Sequence, residues 1–274
     1  MKQFDIIGLD GSGKTCYLYA MAETMRQGLY GLSFHSNCDG WQKIIAELQW
    51  PSGTCKTSFF DFQCFYNSKH IDWLDFSCID YRGGIIVSYN EVDRLLRSKF
   101  RKRIINTDGL IILVAADMLK GILMGDFEAR DDIDMLNYTI SGVGQKLSQI
   151  PIAIAITKSD YFNNDEDKVM FPLVKQLFPF IFNAALHLNT LIVPVSLGRN
   201  LSNNSCSSES VLYNNPSDGN IHIPILFNLY HILDNLIKTS ISFKDIADLT
   251  SIKSTIKKEL VAFANNNIIE INTI

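Results

Sequence analysis

Short apolar runs and longer stretches with apolar residues at every third or fourth position take turns along most of this chain. The runs Phe4–Gly8, Thr57–Tyr66, Ile71–Ile79, Gly109–Ala115, Ile152–Ile156 and Leu191–Val195 have strand character. Between most of them, Lys14–Gln27, Trp41–Gln49, Tyr89–Arg103, Asp132–Leu147, Val169–His187 and Ile225–Ile237 repeat their apolar residues at helical spacing. Such alternation predicts an α/β fold, an open six-stranded and mostly parallel sheet with helices on both faces. Only Asn67–His70 separate the second and third runs, too few residues for a crossover. That pair is expected as an antiparallel hairpin at one edge.

Two segments break the pattern. Gly198–Gly219, reading GRNLSNNSCSSESVLYNNPSDG, is rich in Ser, Asn and Gly and offers little apolar surface to bury, which predicts a long mobile loop. Beyond Ser240, Phe243, Ile246, Leu249, Ile252, Ile256, Leu260 and Phe263 recur at helical spacing and predict one or two amphipathic helices.

With 274 residues, 47% of them hydrophobic, the chain can bury one generous core with a small appendage. A formal charge of -4 gives no global attraction to nucleic acid or anionic membrane, so any such contact needs a local patch. The 6 cysteines, Cys16, Cys38, Cys55, Cys64, Cys78 and Cys206, form no C-x-x-C pair and read as reduced thiols without disulfides. His35, His70, His187, His222 and His231 form no spaced cluster, leaving a metal centre or nucleophilic triad without support. MKQFDIIGLDG has no signal-peptide pattern and no apolar run reaches membrane-span length, which predicts a soluble cytoplasmic protein.

The chemistry begins at Gly8–Thr15. G-L-D-G-S-G-K-T satisfies G-x-x-x-x-G-K-[ST] and lies between an apolar run and a helical one, where a phosphate-binding loop must sit. Gly8, Gly11 and Gly13 let the backbone fold around phosphates, and the N–H groups from Asp10, Gly11, Ser12, Gly13 and onward to Cys16 make an anion site at a helix N-terminus. Lys14 is expected at the outer two phosphates and Thr15 as a Mg2+ ligand.

Later motifs name the base. Asp80 ends the third run and Gly83 follows three residues on, giving D-x-x-G, in which the aspartate is expected to hold Mg2+ through water and the Gly83 N–H to sense a γ-phosphate. The fifth run leads into T-K-S-D at Thr157–Asp160, matching [NT]-K-x-D at a strand end. There the Asp160 carboxylate accepts from the N1–H and amine of guanine, a donor pair adenine lacks, while the Lys158 stem lies along the base. After the sixth run, Ser196 and the Leu197 N–H stand where a last loop meets the guanine carbonyl.

With these motifs in this order over about Met1–Leu236, the chain resembles the Ras-like P-loop GTPase superfamily. Its first loop, with G-L-D and a double glycine after the switch aspartate, looks like the ADP-ribosylation-factor branch; W-P-S-G-T, D-Y-R-G-G and P-V-S-L-G are similar to bacterial GTPases of the double-GTPase type. The resemblance implies strand order 2-3-1-4-5-6, a GTP-binding domain over 1–240, a C-terminal helical extension over 241–274, and GTP/GDP with Mg2+ as ligands. It also implies a threonine that closes over Mg2+; Thr54 in W-P-S-G-T is the choice and Thr57 the reserve. Two departures matter. Gly84 stands where many members carry a catalytic glutamine, which predicts slow hydrolysis, and Thr157 replaces the usual asparagine. Arg82 either reaches the γ-phosphate or faces solvent, and Asp10 receives no firm role.

Arg94–Arg103 places six basic residues on one expected helix, either a solvated face or a surface for an anionic partner. The expected function is a GTP-binding switch with slow Mg-dependent hydrolysis, engaging protein partners through its switch segments and C-terminal helices. A catalytically weak scaffold subunit and a P-loop ATPase are the alternatives.

Overall fold

The computed structural model describes residues 2–29, 31–47, 50–51, 57–81, 84, 86, 91–142, 147, 149–161, 167–183, 186, 188–199, 211–212, 219–239, 243–266 and 270–271. In chain order the elements are β1 (Lys2–Gly8), α1 (Lys14–Gln27), β2 (Leu32–Ser36), α2 (Gly40–Glu47), β3 (Ser58–Tyr66), β4 (Lys69–His70), β5 (Phe76–Asp80), α3 (Glu91–Ile104), β6 (Gly109–Ala115), α4 (Ala116–Leu123), α5 (Phe127–Ser141), β7 (Ile152–Thr157), α6 (Asp167–Leu177), β8 (Thr190–Pro194), β9 (Gly198–Arg199), β10 (Val211–Leu212), α7 (Ile223–Thr239), α8 (Phe243–Asn266) and β11 (Glu270–Ile271).

The main sheet runs β11-β8-β7-β6-β1-β5-β3-β2, with β4 paired to β3. β5, β1, β6, β7 and β8 are parallel, and β3 lies antiparallel to β5 with Ser58 opposite Asp80. The six expected strands therefore occur in the order 2-3-1-4-5-6, and the expected hairpin forms. Two corrections apply. β3 is not an edge, because β2 pairs outside it, and β11 adds an antiparallel strand at the far side. The Ile71–Ile79 run is not one strand: Asn67 and Ser68 turn with positive φ, β4 makes a two-residue return, Asp72–Leu74 form a 3-10 turn, and only then does β5 begin.

Side chains alternating along each strand feed two cores. On β6, Ile111 and Leu113 face one layer with Phe4, Ile6, Met21 and Phe76, while Leu110, Ile112 and Val114 face the other with Phe100, Ile133, Leu136 and Val174. β7 sorts by size as well: Ile152, Ile154 and Ile156 fill the second layer, and the small Ala153 and Ala155 lie on the face covered by α7. The apolar stripe of the tail belongs to a single helix, α8, whose Leu249, Ile252, Ile256 and Leu260 are buried in the first core against α7. Polar contacts tie it further, Lys253 to Asp234 and His222 Nε2 to Glu259 at 3.3 Å on the α7 side, and Tyr66 to Ser251 at 2.9 Å on the β3 side.

Most of the Gly198–Gly219 loop lies outside the described residues; within it, β9 and β10 pair antiparallel. Of the basic stripe, Lys99 and Lys102 are exposed, whereas Arg103 donates to the buried Asp5 at 2.7 Å and Arg101 stands over the Tyr138 ring. Part of that charge is thus used inside the fold. No described helix is long and apolar enough to cross a membrane, and Cys16, Cys38, Cys64 and Cys78 are free thiols.

Candidate functional site

β1, β5, β6, β7 and β8 are parallel, so their C-terminal ends share one rim of the sheet, and the motif residues gather there. Gly8 closes β1. A side chain at this position is excluded, because a Cβ would stand 2.5 Å from Ser12 Oγ and 2.7 Å from the Leu113 carbonyl. Gly11 and Gly13 have φ of +70° and +79°, a conformation that L residues adopt at a cost, and a Cβ on either would meet nothing within 4 Å. The loop they shape ends at the N-terminus of α1, where Gly13 is the cap. That terminus points unpaired N–H groups and the positive end of the helix dipole at the same space.

Lys14 is 7% exposed and its ammonium donates to the Leu9 carbonyl at 2.8 Å, arching over the loop. Burial holds its pKa below the usual lysine value; Asp80 and Asp10 work in the opposite direction. The exposed Asp10 thus contributes negative charge near the ammonium. Cys16, next along the helix, is pushed up to about 12 by burial and by Asp80, so it stays a neutral thiol. Ser12 Oγ is buried without a hydrogen-bond partner among the described residues.

Thr15 donates its hydroxyl to Asp80 Oδ2 at 2.7 Å, joining the start of α1 to the end of β5. A hydroxyl and a buried carboxylate beside an anion cradle are hard oxygen donors, and they fit Mg2+, which takes a few such ligands with phosphate oxygens and water. Thr54, Arg82 and Gly83 lie outside the described residues. Gly84 is described, and the reserve Thr57 directly precedes Ser58, which pairs with Asp80 at the end of β5.

At the end of β7, Thr157 Oγ1 donates to the Ser12 carbonyl at 2.9 Å, with Val114 O a longer 3.5 Å away. Thr157 thus ties the end of β7 directly to the Gly8–Thr15 loop. Lys158 adopts φ +55°, unusual for a residue with a side chain, and its ammonium reaches Asp117 at 2.7 Å. Asp160, in a 3-10 turn, accepts from Ser196 Oγ at 2.8 Å, so the ends of β7 and β8 bring these two expected site residues together. The last loop is held in turn by Ser196 N–H to the Gly219 carbonyl at 3.0 Å and by Asn220 Nδ2 to Pro194 O at 3.1 Å; Leu197 follows, half-buried.

Sequence reasoning missed Asp117, Met118 and Asp126. Together with Asp10, Gly11 and Lys158 they line an open cleft of about 320 Å3 beside the phosphate loop. Asp117 carried no motif, and only the fold brings it to Lys158.

No protein-family model matches this chain, and no curated protein matches it in sequence. Solved structures similar to it include SsGBP in complex with GDP, at 13% identity and TM-score 0.41 over 72% of this chain and 44% of that one. A bacterial selenocysteine-specific elongation factor, EF-Sec, gives 16% and 0.37 over 71% of this chain and 26% of that one. The ADP ribosylation factor-like GTP-binding protein, small COPII coat GTPase SAR1, from Encephalitozoon cuniculi in complex with GDP gives 10% and 0.39 over 85% and 82%. The chain thus spans less than half the length of the first two. Likenesses this distant carry no residue correspondence, and the site stands on this chain's own residues.

Proposed function

We propose that this chain is a cytoplasmic P-loop GTPase that binds GTP and GDP, hydrolyses GTP slowly, and works as a switch on a protein partner or assembly. The observation that carries the reading is the bond from Thr157 Oγ1 to the Ser12 carbonyl, which couples the T-K-S-D corner to the phosphate loop across 145 positions of sequence. The parallel strands bring the two loops to one rim, and this specific hydroxyl-to-carbonyl bond ties them together there. The Ser196–Asp160 bond orients the carboxylate in the same corner.

In this reading the N–H groups of Asp10 to Cys16 hold the phosphates, and the Lys14 ammonium moves its bond from the Leu9 carbonyl toward phosphate oxygen. Thr15 and Asp80, with Thr54 in the triphosphate state, hold Mg2+, which when bound neutralises charge on the outer phosphates. Asp160 selects guanine, the Lys158 stem covers the base, and Ser196 with the Leu197 N–H completes the base pocket. Gly83 senses the γ-phosphate, with Arg82 beside it. Gly84 has no side chain to orient water, which makes intrinsic turnover slow. Residues 1–240 form the nucleotide-binding domain and 241–274 its extension. Ordering of the Thr54 and Asp80–Gly84 segments by the γ-phosphate changes the partner surface.

Calorimetric titration of nucleotide-free protein with GTP, GDP and ATP in Mg2+, repeated on Asp160→Ala, tests the base assignment. Guanine-selective binding that disappears in the variant supports it, and equal or tighter binding of ATP overturns it. Gly84 also favours a second reading, a nucleotide-holding scaffold without meaningful turnover. Multiple-turnover phosphate release that is lost in Asp80→Ala excludes that one.

A further inference from the structure

We propose that the elbow between α4 and α5, with the outer face of α5, docks a basic amphipathic helix of a protein partner. Three large apolar side chains stand in water within five residues: Leu123 is 49% exposed, Met124 86% and Phe127 80%. They are not a frayed end. Met124 N–H bonds to Lys120 O at 3.1 Å, Gly125 turns with φ +92°, Asp126 N–H returns to Gly121 O at 2.9 Å, and the Asp126 carboxylate caps α5 through Ala129 N–H at 3.0 Å. The core-facing duty of both helices is met by Leu119, Ile122, Ile133, Leu136 and Ile140, so the exposed set is surplus to folding.

The face continues along α5. Phe127, Asp131, Asp134 and Tyr138 follow one another at four-, three- and four-residue steps, which puts them on one side of the helix, and all are exposed. Asp126 and Glu128 add exposed negative charge at its head. The half-buried Asp132 has its pKa raised, chiefly by burial and then by the nearby Glu128, Asp131 and Asp126. Phe127 at one end and Tyr138, whose ring Arg101 already faces, at the other bracket carboxylates that outnumber the exposed Arg130, and the set matches a helix presenting apolar residues flanking lysines or arginines. Other occupants fit worse. An anionic membrane or nucleic acid meets like charge, and a second copy related by a two-fold axis lays acid on acid. Asp126 and Met118 also line the cleft that contains Asp10 and Gly11, so an occupant of the elbow sits beside the phosphate loop.

The test uses nucleotide-free full-length protein, so it stands apart from the guanine assignment. The probe is a fluorescein-labelled helical peptide of Leu, Lys and Ala with leucines and lysines on one face, against a scrambled peptide of the same composition. Met124→Ser/Phe127→Ser and Asp131→Asn/Asp134→Asn each weaken binding at least about tenfold in polarisation titrations. The control Ile45→Ser, on the distant exposed face of α2, leaves binding unchanged, and high salt weakens it. Equal binding of the scrambled peptide, equal binding to the elbow variants, or no binding to the wild-type protein overturns the proposal. So does self-association in sedimentation that vanishes in Met124→Ser/Phe127→Ser, which gives the surface to a second copy.

Discussion

Replacing Thr157 with valine removes one hydroxyl and changes almost nothing in shape, so its effect isolates the bond between the base corner and the phosphate loop. Thr157 is 6% exposed and donates to the Ser12 carbonyl at 2.9 Å. The valine methyl leaves that carbonyl without its donor, and a buried acceptor so stranded costs about 1–3 kcal/mol. In the nucleotide-free protein the loop can relax toward water and recover part of the loss. With nucleotide bound the loop is fixed in the cradle conformation, and the loss is felt in full. The larger share therefore appears as affinity: about 5- to 150-fold faster dissociation of a fluorescent GDP analogue. The thermal midpoint of the free protein falls by only a few degrees, at about 2–4 °C per kcal/mol for a domain of this size class. Thr157→Ser keeps the hydroxyl and stays near wild type. Unchanged dissociation in Thr157→Val, or a Thr157→Ser variant as impaired as valine, refutes the reasoning.

Gly8→Ala forces a Cβ to 2.5 Å from Ser12 Oγ and 2.7 Å from Leu113 O; the backbone oxygen cannot give way, so β1 and the loop must part, and GDP binding measured by calorimetry is expected to disappear. Leu260→Ala removes a fully buried side chain of α8 and is expected to cost about 2–5 kcal/mol in urea unfolding, whereas a loss under about 1 kcal/mol means that α8 does not pack on the core in solution. Lys14→Met is expected to raise the thermal midpoint of nucleotide-free protein while abolishing binding, because the folded state lowers the Lys14 pKa by burial. Its sign with pH follows: below the lowered pKa both folded and unfolded chains are charged and the penalty is complete. As pH rises from there toward the ordinary lysine value of 10.5 the penalty fades, so the gap between variant and wild type must narrow. Iodoacetamide at mildly alkaline pH is expected to spare Cys16, whose thiol titrates at about 12; peptide mapping that finds it alkylated as fast as a free thiol contradicts this.

Elements whose local signals agree were legible in the chain. α1 occupies Lys14–Gln27 as its spacing predicts, and β6 and β7 match their apolar runs because parallel strands buried on both faces read as continuous hydrophobic sequence. The same continuity hid α4. GLIILVA passes straight into ADMLKGIL with no glycine or proline between, so nothing marks where a strand becomes a helix. β2 offered only Leu32 and Phe34 among polar residues, too short an alternation to register, yet both are buried once β3 is beside them. The expected helix over Val169–His187 ends at Leu177 instead; Pro179 disfavours helical backbone at Phe178. At the candidate site, Gly8–Thr15 and Thr157–Asp160 could be singled out because their spacing is local. Asp117 was not, since its meaning depends on a partner 41 residues away.

Three local preferences are overruled together at this rim. Lys158 holds a positive φ that costs about 1–3 kcal/mol for a residue with a Cβ, and it is not at a hairpin tip, as Asn67 and Ser68 are. Lys14 keeps an ammonium in a nearly closed environment. Ser12 buries a hydroxyl without a partner among the described residues. Each departure alone is an ordinary imperfection. All three lie on the two segments that Thr157 joins, Lys14 as the first residue of α1, and strain persists only where the surrounding structure over-determines it. The strands beneath supply that determination, with β1, β6 and β7 buried on both faces and unable to yield. A rigid base therefore bears the cost of holding these two segments fixed, which in the proposed reading fixes the phosphates and the base. On this account, variants that relieve the strain, Lys14→Met first among them, must gain stability and lose ligand together; a variant here that gains stability and keeps full affinity breaks the link between the two.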